Sequence, residues 1–586
     1  MKFQNCILFL LLAKGIIAQN EGSSWVIGYH SGGNPEYSIM HLNFSGNEMQ
    51  IEYHFDETMH MRETCSNICD QSGKAILWTN GMQIFGKHGI SVADTIAYDG
   101  SKTGYWNWFY TDSYGPLGFP KPDGAIILPV PDRQDEYSII YHSASPHPTF
   151  VFQVDRILEA RVRMRIDSTF ELIFKDSLIG PVTQWLTGPI LSTKHSNGRD
   201  WWIMFFKADS PTYYSHLLTP DGITFRQSGS VDTNVIAGFG QAVISNKGNF
   251  VARMDAIDFD EGQYITLYTF DRCSGELNRL ETIQTTTGFS TGLAFSPSEQ
   301  YLYADDNTNL WQWDLSSNDI NASKSLVDTF DGFVQPGWFE MRFGPMKLAP
   351  DGKIYLIPST GSSEYIHVIE RPNLPFDQCQ FKQHTINLRK PNGRSAPNLP
   401  NFRLGPIDGS ICDSLGIDNT PVAKWRFEKN EINNEQLIRF IDLSFYEPDS
   451  WLWDFGDGFT SNEEFPIHMF DKGLYNVCLT VSNSYGEDTA CQNIEIFTTD
   501  VDNVANNSTA FSIYPNPFSE FIELESGEKG FLDGSISLYD QFGKEIINQL
   551  KVCIPSKLFL LALPPGLYLL RLKFAGEQYN YTIIKI

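Results

Sequence analysis

The sequence predicts an all-β chain: a β-propeller of about seven blades, followed by two smaller β-sandwich domains. Three observations predict it. Aromatic residues make up 14% of the 586 positions, with 25 Tyr and 42 Phe, a bias that favours strands over helices. Almost no long segment keeps a helical period. Short β-rich runs recur instead between clusters of Gly, Pro, Asn and Asp, the pattern of strands separated by turns.

The third observation is a repeated grammar: a small-residue strand, a turn, an apolar strand, a second turn and an outer strand. Residues 293–303, Leu-Ala-Phe-Ser-Pro-Ser-Glu-Gln-Tyr-Leu-Tyr, precede the strand-like 310–315. Residues 346–356 precede 366–369, and 243–250 precede 264–270, in the same order. The spacing is roughly 45–65 residues, the range of a four-stranded propeller blade. One blade cannot bury both its faces, so several must close into a ring. About seven fit between Trp25 and Gly409, and the segment 25–29 is expected to complete the last blade and close the ring. The propeller is placed at 24–410.

Composition narrows the function classes. The chain is 41% hydrophobic and 19% charged, which excludes a mainly disordered chain. Its formal net charge is −27, from 43 Lys+Arg against 70 Asp+Glu. That argues against nucleic acid as a partner, because phosphate backbones need a dense basic surface. The N-terminus starts with Met1 and Lys2, continues through an apolar run at 6–13, and reaches a small residue at Ala18. This pattern predicts a secretory signal over residues 1–18. Cys6 lies at the front of the apolar run, not at the cut, which argues against a lipid anchor there. The later apolar patch 558–563 is short and ends at Pro564-Pro565, so no membrane-spanning segment is expected.

Cysteines follow from export, which permits disulfides. Cys478 and Cys491 lie in adjacent strand-like segments joined by Asn483-Ser484-Tyr485-Gly486, and a cross-strand disulfide is expected between them. Cys65 and Cys69 supply only two local thiols, whereas a structural zinc site needs four ligands. Cys273, Cys379, Cys412 and Cys553 carry no pairing signal.

Residues 68–81, 124–131 and 348–355 resemble segments of large exported propeller proteins of Bacteroidetes-type bacteria, a likeness that speaks to fold and not to chemistry. A sharper motif follows. Trp453-Asp454-Phe455-Gly456-Asp457-Gly458 precedes Pro466, His468 and the run 473–483. Trp453 and Phe455 alternate toward one face, as a strand requires, and Gly456-Asp457-Gly458 supplies a tight turn. Tyr475, Val477, Leu479 and Val481 alternate likewise. This segment resembles a polycystic-kidney-disease (PKD) domain, an immunoglobulin-like β-sandwich, placed at 420–498. A polar linker, 499–509, leads to Tyr514-Pro515-Asn516-Pro517, then Gly566-Leu567-Tyr568 and a terminal strand ending at Ile586. Residues 510–586 resemble the C-terminal sorting domain of the type IX secretion system. That resemblance implies the secretion machinery as a partner, passage through the outer membrane, removal of the domain, and surface attachment or release.

No motif for catalysis stands out: there is no Gly-x-Ser-x-Gly elbow, no His-Glu-x-x-His and no phosphate-binding loop. Gly238-Phe239-Gly240 reads as close backbone approach at a strand start. His142 and His147 read as surface or loop histidines. Asp255, Asp258, Asp260 and Glu261 lack the spacing of a calcium loop. Asp454 and Asp457 read as turn and strand-edge residues, and Trp201 and Trp202 as core. The segment 104–115 carries Tyr105, Trp106, Trp108 and Tyr110 among glycines and polar groups. These rings either fill the space between blades or, exposed on a propeller face, suit stacking on sugar rings or extended peptides. No metal or cofactor is expected. The sequence thus points to a secreted or cell-surface, non-enzymatic binding and adhesion protein, its propeller face and PKD module contacting polysaccharide or protein. The rival is a secreted polysaccharide- or peptide-degrading hydrolase or lyase with its site in the propeller's central pocket. It requires carboxylates or histidines converging at the inner strand ends.

Overall fold

A computed structural model describes residues 20–585 apart from 97–117, 147–151, 184–188, 208–209, 211, 231–239, 256–263, 286–291, 336–339, 395, 431–433, 497–510, 516–517, 527–531, 541–543, 555, 561–562, 565 and 575–576. Every sheet is antiparallel with strands in consecutive order through the first 392 residues, as expected for blades joined by short turns. Blades 2–7 have four strands each. Their innermost strands are Ser66–Cys69, Ala125–Pro129, Leu191–Lys194, Ala242–Ile244, Leu293–Phe295 and Met346–Leu348. Blade 1 contributes three strands, Ser24–Gly28, Ile39–Asn43 and Gln50–His54.

The repeated grammar has a backbone cause. The turn leaving the innermost strand places one residue in the left-handed region at the same point in five blades. These are Gly73 (φ 81°), Gly198 (φ 74°), Gly248 (φ 76°), Glu299 (φ 64°) and Gly352 (φ 80°). Each donates its N–H to the carbonyl three residues earlier, at 2.9–3.0 Å. Glycine is the default there because it has no Cβ penalty. Gly240 has a different reason: a Cβ would lie 2.4 Å from the Met254 carbonyl oxygen, so two backbones meet at the start of blade 5.

Ring closure joins the two ends of the propeller. Ser24–Gly28 pairs with Ile39–Asn43, not with the strands of blade 7. The place inside it is taken by the chain after blade 7. Gly393 abuts Tyr29, and Phe402 abuts Gly22, so the segment 393–404 runs antiparallel beside Ser24–Gly28. Apolar packing seals the seam to blade 7: Trp25, Ile27 and Phe44 share one core with Tyr355, Ile357 and Val368. Tyr53 Oη adds a hydrogen bond to the Leu388 carbonyl at 3.0 Å. On the other side Asn67 stitches blade 2 to blade 1. Its amide accepts from Val26 N (3.1 Å) and donates to the Ser24 carbonyl (2.8 Å).

The segment 396–405 passes through the centre of the ring. Asn398 lies where the inner strands begin. Its N–H donates to the Cys65 carbonyl (2.8 Å), its carbonyl accepts from Ser66 Oγ (2.8 Å), and its amide donates to the carbonyls of Ile190 (2.9 Å) and Ala125 (3.2 Å). One side chain and its backbone therefore hold blades 2, 3 and 4. Where the inner strands end, Asn401 donates to the Asn246 carbonyl at 2.6 Å and Arg403 to the Pro350 carbonyl at 3.1 Å. Beyond that mouth, Cys412 is bonded to Cys273 of blade 5.

Residues 425–496 form two facing sheets. One comprises Trp425–Asn430, Asn434–Asp442 and Ile467–Met469; the other comprises Thr460–Ser461, Ser450–Asp454, Gly473–Asn483 and Gly486–Ile496. Trp453 is fully buried and packs on Trp425 (5.4 Å) and Phe440 (5.1 Å). Val477, Leu479 and Val481 are buried on alternate positions of their strand, and Cys478, on the other face, is bonded to Cys491. This sandwich sits at the mouth where the inner strands end. Arg426 Nε donates to the Asp351 carbonyl (2.8 Å), Phe427 N donates to Asn47 Oδ1 (2.7 Å), and the Arg403 guanidinium lies 4.5 Å from the Phe445 ring centre. The C-terminal unit is a separate pair of sheets. Phe511–Tyr514, Phe521–Ser526 and Ser556–Phe559 pack across a core of Ile522, Leu524, Ile536, Leu538, Leu570 and Leu572 on a four-stranded partner that includes Leu532–Asp540 and Gly566–Phe574.

Two outcomes are expected. Asn398→Ala leaves buried carbonyls of blades 3 and 4 without donors, and should cost about 2–3 kcal/mol, read as a lower midpoint in thermal unfolding. Lys424 tests the sandwich junction. Burial pushes its ammonium down to about 7, Arg403 adds to the effect and Asp351 opposes it. The unfolded chain, with an ordinary lysine near 10.5, then holds a proton the folded chain has released. Stability is greatest above pH 10.5 and is lost as pH falls toward 7. Lys424→Met should raise the midpoint at pH 7 by about 2–4 °C and flatten the rise between pH 7 and pH 9.

Candidate binding face and central channel

The two mouths of the ring differ. The mouth where inner strands end is met by the PKD-like sandwich through Asp351 and Asn47. The opposite mouth, where inner strands begin, is closed by two amides. Asn398 holds blades 2–4. Gln241, 4% exposed, does the same for blades 5–7: its Nε2 donates to the Met346 carbonyl (2.8 Å), and its Oε1 accepts from Leu293 N (3.0 Å) and Met346 N (3.2 Å). Between them Lys347 of blade 7 pairs with Asp123, just before blade 3, at 2.7 Å. Neither amide nor this ion pair was legible in the sequence, because each joins residues more than fifty positions apart.

What remains inside the ring is a cavity of about 190 Å³, lined by inner-strand residues such as Trp25, Ile126, Thr193 and Phe295 and by Asn398, Asn401 and Arg403 of the threading segment. That is smaller than the roughly 300–1,000 Å³ of small-molecule sites. Its ionic side chains are Lys347, held by Asp123, and Arg403, held by the Pro350 carbonyl. Around the mouth closed by the amides, Glu63 pairs with Arg394. Burial pushes the nearby Lys121 ammonium down to about 8, Glu63 opposing and Arg394 adding to it.

The singled-out residues fall as follows. Trp201 and Trp202 are 1% and 2% exposed; Lys194 caps the first at 4.2 Å, and the second donates to the Arg272 carbonyl at 2.7 Å. His142 departs from the surface reading. It lies in the strand Glu136–Pro146, is 2% exposed and packs edge-on to Phe119, and burial lowers it to about 3. It sits in a strand buried on both faces, residues 138–144 being buried in succession, and the proline after it had obscured the strand. Asp454 and Asp457 each accept a backbone N–H two residues on, from Gly456 (2.9 Å) and Phe459 (3.0 Å). Asp457 also pairs with His468 at 2.7 Å, and His468 stacks on Phe455 at 4.0 Å. Gly456, at φ 75°, cannot carry a Cβ, which would lie 2.7 Å from the Asn476 carbonyl oxygen. Gly458 likewise has positive φ, 95°. Tyr105, Trp106, Trp108, Tyr110, His147, Asp258, Asp260, Glu261, Asn516 and Pro517 lie outside the described residues. Tyr514 ends the strand Phe511–Tyr514 and is exposed, with Pro515 beside it.

Comparison with known proteins identifies two modules. A PKD domain model matches residues 418–498, and a model of the secretion system C-terminal sorting domain matches 512–586. The PKD1 domain of the Vibrio cholerae metalloprotease PrtV is similar at 32% identity, over 14% of this chain and all of that one, with a TM-score of 0.12. The periplasmic gluconolactonase of Pseudomonas aeruginosa is similar at 11% identity over 75% of this chain and 99% of its own, with a TM-score of 0.30. The propeller domain of Cps50 (Swd1) from Myceliophteria thermophila is similar at 11% identity over 58% and 94%, with a TM-score of 0.32. At such TM-scores these structural likenesses carry no weight for function. The sorting domain marks the chain for export to the cell surface or the extracellular space, with the secretion machinery as its partner. No helix among the described residues is long and apolar enough to cross a membrane.

Proposed function

We propose that the exported chain is a non-enzymatic binding and adhesion protein, with the propeller mouth opposite the PKD domain as its contact face and polysaccharide or surface protein as its ligand. The observation that carries this reading is the threaded ring. The chain's own residues 396–405 fill the centre, and Asn398 and Gln241 close the mouth, which leaves the rim and its loops for an extended ligand. The connection from Ala93 to Ala125 leaves and re-enters on that mouth, and it carries Tyr105, Trp106, Trp108 and Tyr110. Flat rings beside glycines offer stacking surface for sugars, and loops on a rigid ring are where binding groups gather. The PKD domain serves as spacer or second contact, so weak contacts add through avidity.

The rival hydrolase or lyase needs acid–base groups converging on the axis. The ionic side chains that line the central cavity are Lys347, paired with Asp123, and Arg403, each already engaged. The test is retention and fragment release on an array of polysaccharides and glycoproteins. Retention without released fragments is expected, and Trp106→Ala with Trp108→Ala should weaken it about tenfold, the loss of roughly one stacking contact. Release of fragments by the parent chain would overturn the reading in favour of the rival.

A further inference from the structure

Blade 1 and the connection to blade 2 bring together three groups that the sequence holds apart. His41 lies on the strand Ile39–Asn43, and His54 ends the strand Gln50–His54. The register pairs His41 with Glu52 and Ile39 with His54, so the two imidazoles project from one face, two positions apart along it. They stack at 4.0 Å between ring centres. Glu57, in the connection that follows, is 4% exposed, and its stem packs against Gly89 of blade 2. Trp78 of blade 2 meets His41 edge-on at 5.5 Å. The cluster therefore lies in the groove between the two blades.

Its geometry is not that of hydrogen bonding. Elsewhere in this chain histidine–carboxylate pairs close to 2.7 Å, at His384–Asp331 and His468–Asp457. Here Glu57 Oε1 stands 3.6 Å from His41 Nε2 and 3.5 Å from His54 Nδ1. His41 Nε2, His54 Nε2 and Glu57 Oε2 are buried atoms with no hydrogen-bond partner, an arrangement that is costly if nothing fills it. One ligand atom from each residue lies within 4.8 Å of the others. Ligands at about 2.0–2.1 Å from a tetrahedral zinc ion stand about 3.3–3.4 Å apart, close to the two separations seen.

We propose that His41, His54 and Glu57 bind a first-row divalent cation, zinc by preference, in the groove between blades 1 and 2. Two imidazoles and one carboxylate suit zinc and its first-row neighbours more than calcium or magnesium, which take oxygen donors. Three protein ligands leave a fourth position for water. Glu52 Oε2 stands 3.9 Å from His54 Nε2, beyond hydrogen-bond reach, and His54 Nδ1, which faces Glu57, is the ligating atom of that ring. The ion would tie blade 1, which supplies only three strands, to the connection that leaves it.

The experiment is calorimetric titration of the purified full chain with zinc chloride at pH 7.5, beside Glu57→Gln, His41→Ala and His384→Ala, with thermal unfolding of each with and without zinc. One saturable zinc ion is expected for the parent chain and for His384→Ala, with a zinc-dependent rise in midpoint, since a ligand that binds only the folded state stabilises it. Both responses should vanish in Glu57→Gln and His41→Ala. If His41→Ala fails to fold by circular dichroism, His54→Gln, on the more exposed ring, takes its place. Absence of saturable binding in the parent, or binding retained in both ligand variants, overturns the proposal.

Discussion

The hydrogen bonds of Asn398 are the constraint on which the ring depends. Blades 2–7 hold themselves together as four-stranded sheets, but blade 1 lacks its innermost strand. The chain fills that place with a segment held by side-chain and single backbone contacts. Asn398 alone reaches the carbonyls of Cys65, Ala125 and Ile190. A buried carbonyl without a donor is expensive, so the three blades and the segment specify one another. Gln241 solves the same problem for blades 5–7 with one amide shared by two strands. Amides suit this work because each offers a donor and an acceptor without a charge to desolvate.

Charge is distributed with the same logic. The chain carries a net charge of −27, yet cations collect in and around the ring's exit. Arg403 and Lys194 are half-buried, and desolvation pulls them down to about 10 and about 8. Arg272 lies beside them and donates to the Lys194 carbonyl at 2.9 Å. Carbonyl oxygens and aromatic faces, more than carboxylates, are their partners: Pro350 and Phe445 for Arg403, Trp201 for Lys194. Carboxylates are buried too, Asp123, Asp305 and Asp351 among them, and the net negative charge of the whole chain disfavours contact with anionic polymers.

Local rules were legible, and long-range ones were not. Gly73, Gly248 and Gly352 announce the turn after each inner strand because a positive φ is a property of four residues. Trp453 and Phe455 announce a buried face because strand alternation is local too. His142 was misread because one proline outweighed the apolar run Ile139-Ile140-Tyr141 that precedes it. Asn398, Gln241, the Cys273–Cys412 disulfide and the cluster of His41, His54 and Glu57 depend on which blades become neighbours across the ring. Nothing in a short window of sequence carries that information. The face proposed for ligands is legible only as composition, a run of aromatics among glycines.

The Cys273–Cys412 bond sets the path of mechanical load. In the proposed adhesive role, the chain is pulled between its contact face and its C-terminal end. Tension entering beyond residue 412 meets a covalent link to blade 5 before it reaches Arg403, Asn401 or Asn398. The load passes into the turn between the two outer strands of blade 5, Tyr264–Phe270 and Leu277–Gln284, and bypasses the threaded segment that completes blade 1. The seam where the two ends of the ring meet is thereby taken out of the line of force, and a reducing environment would put it back.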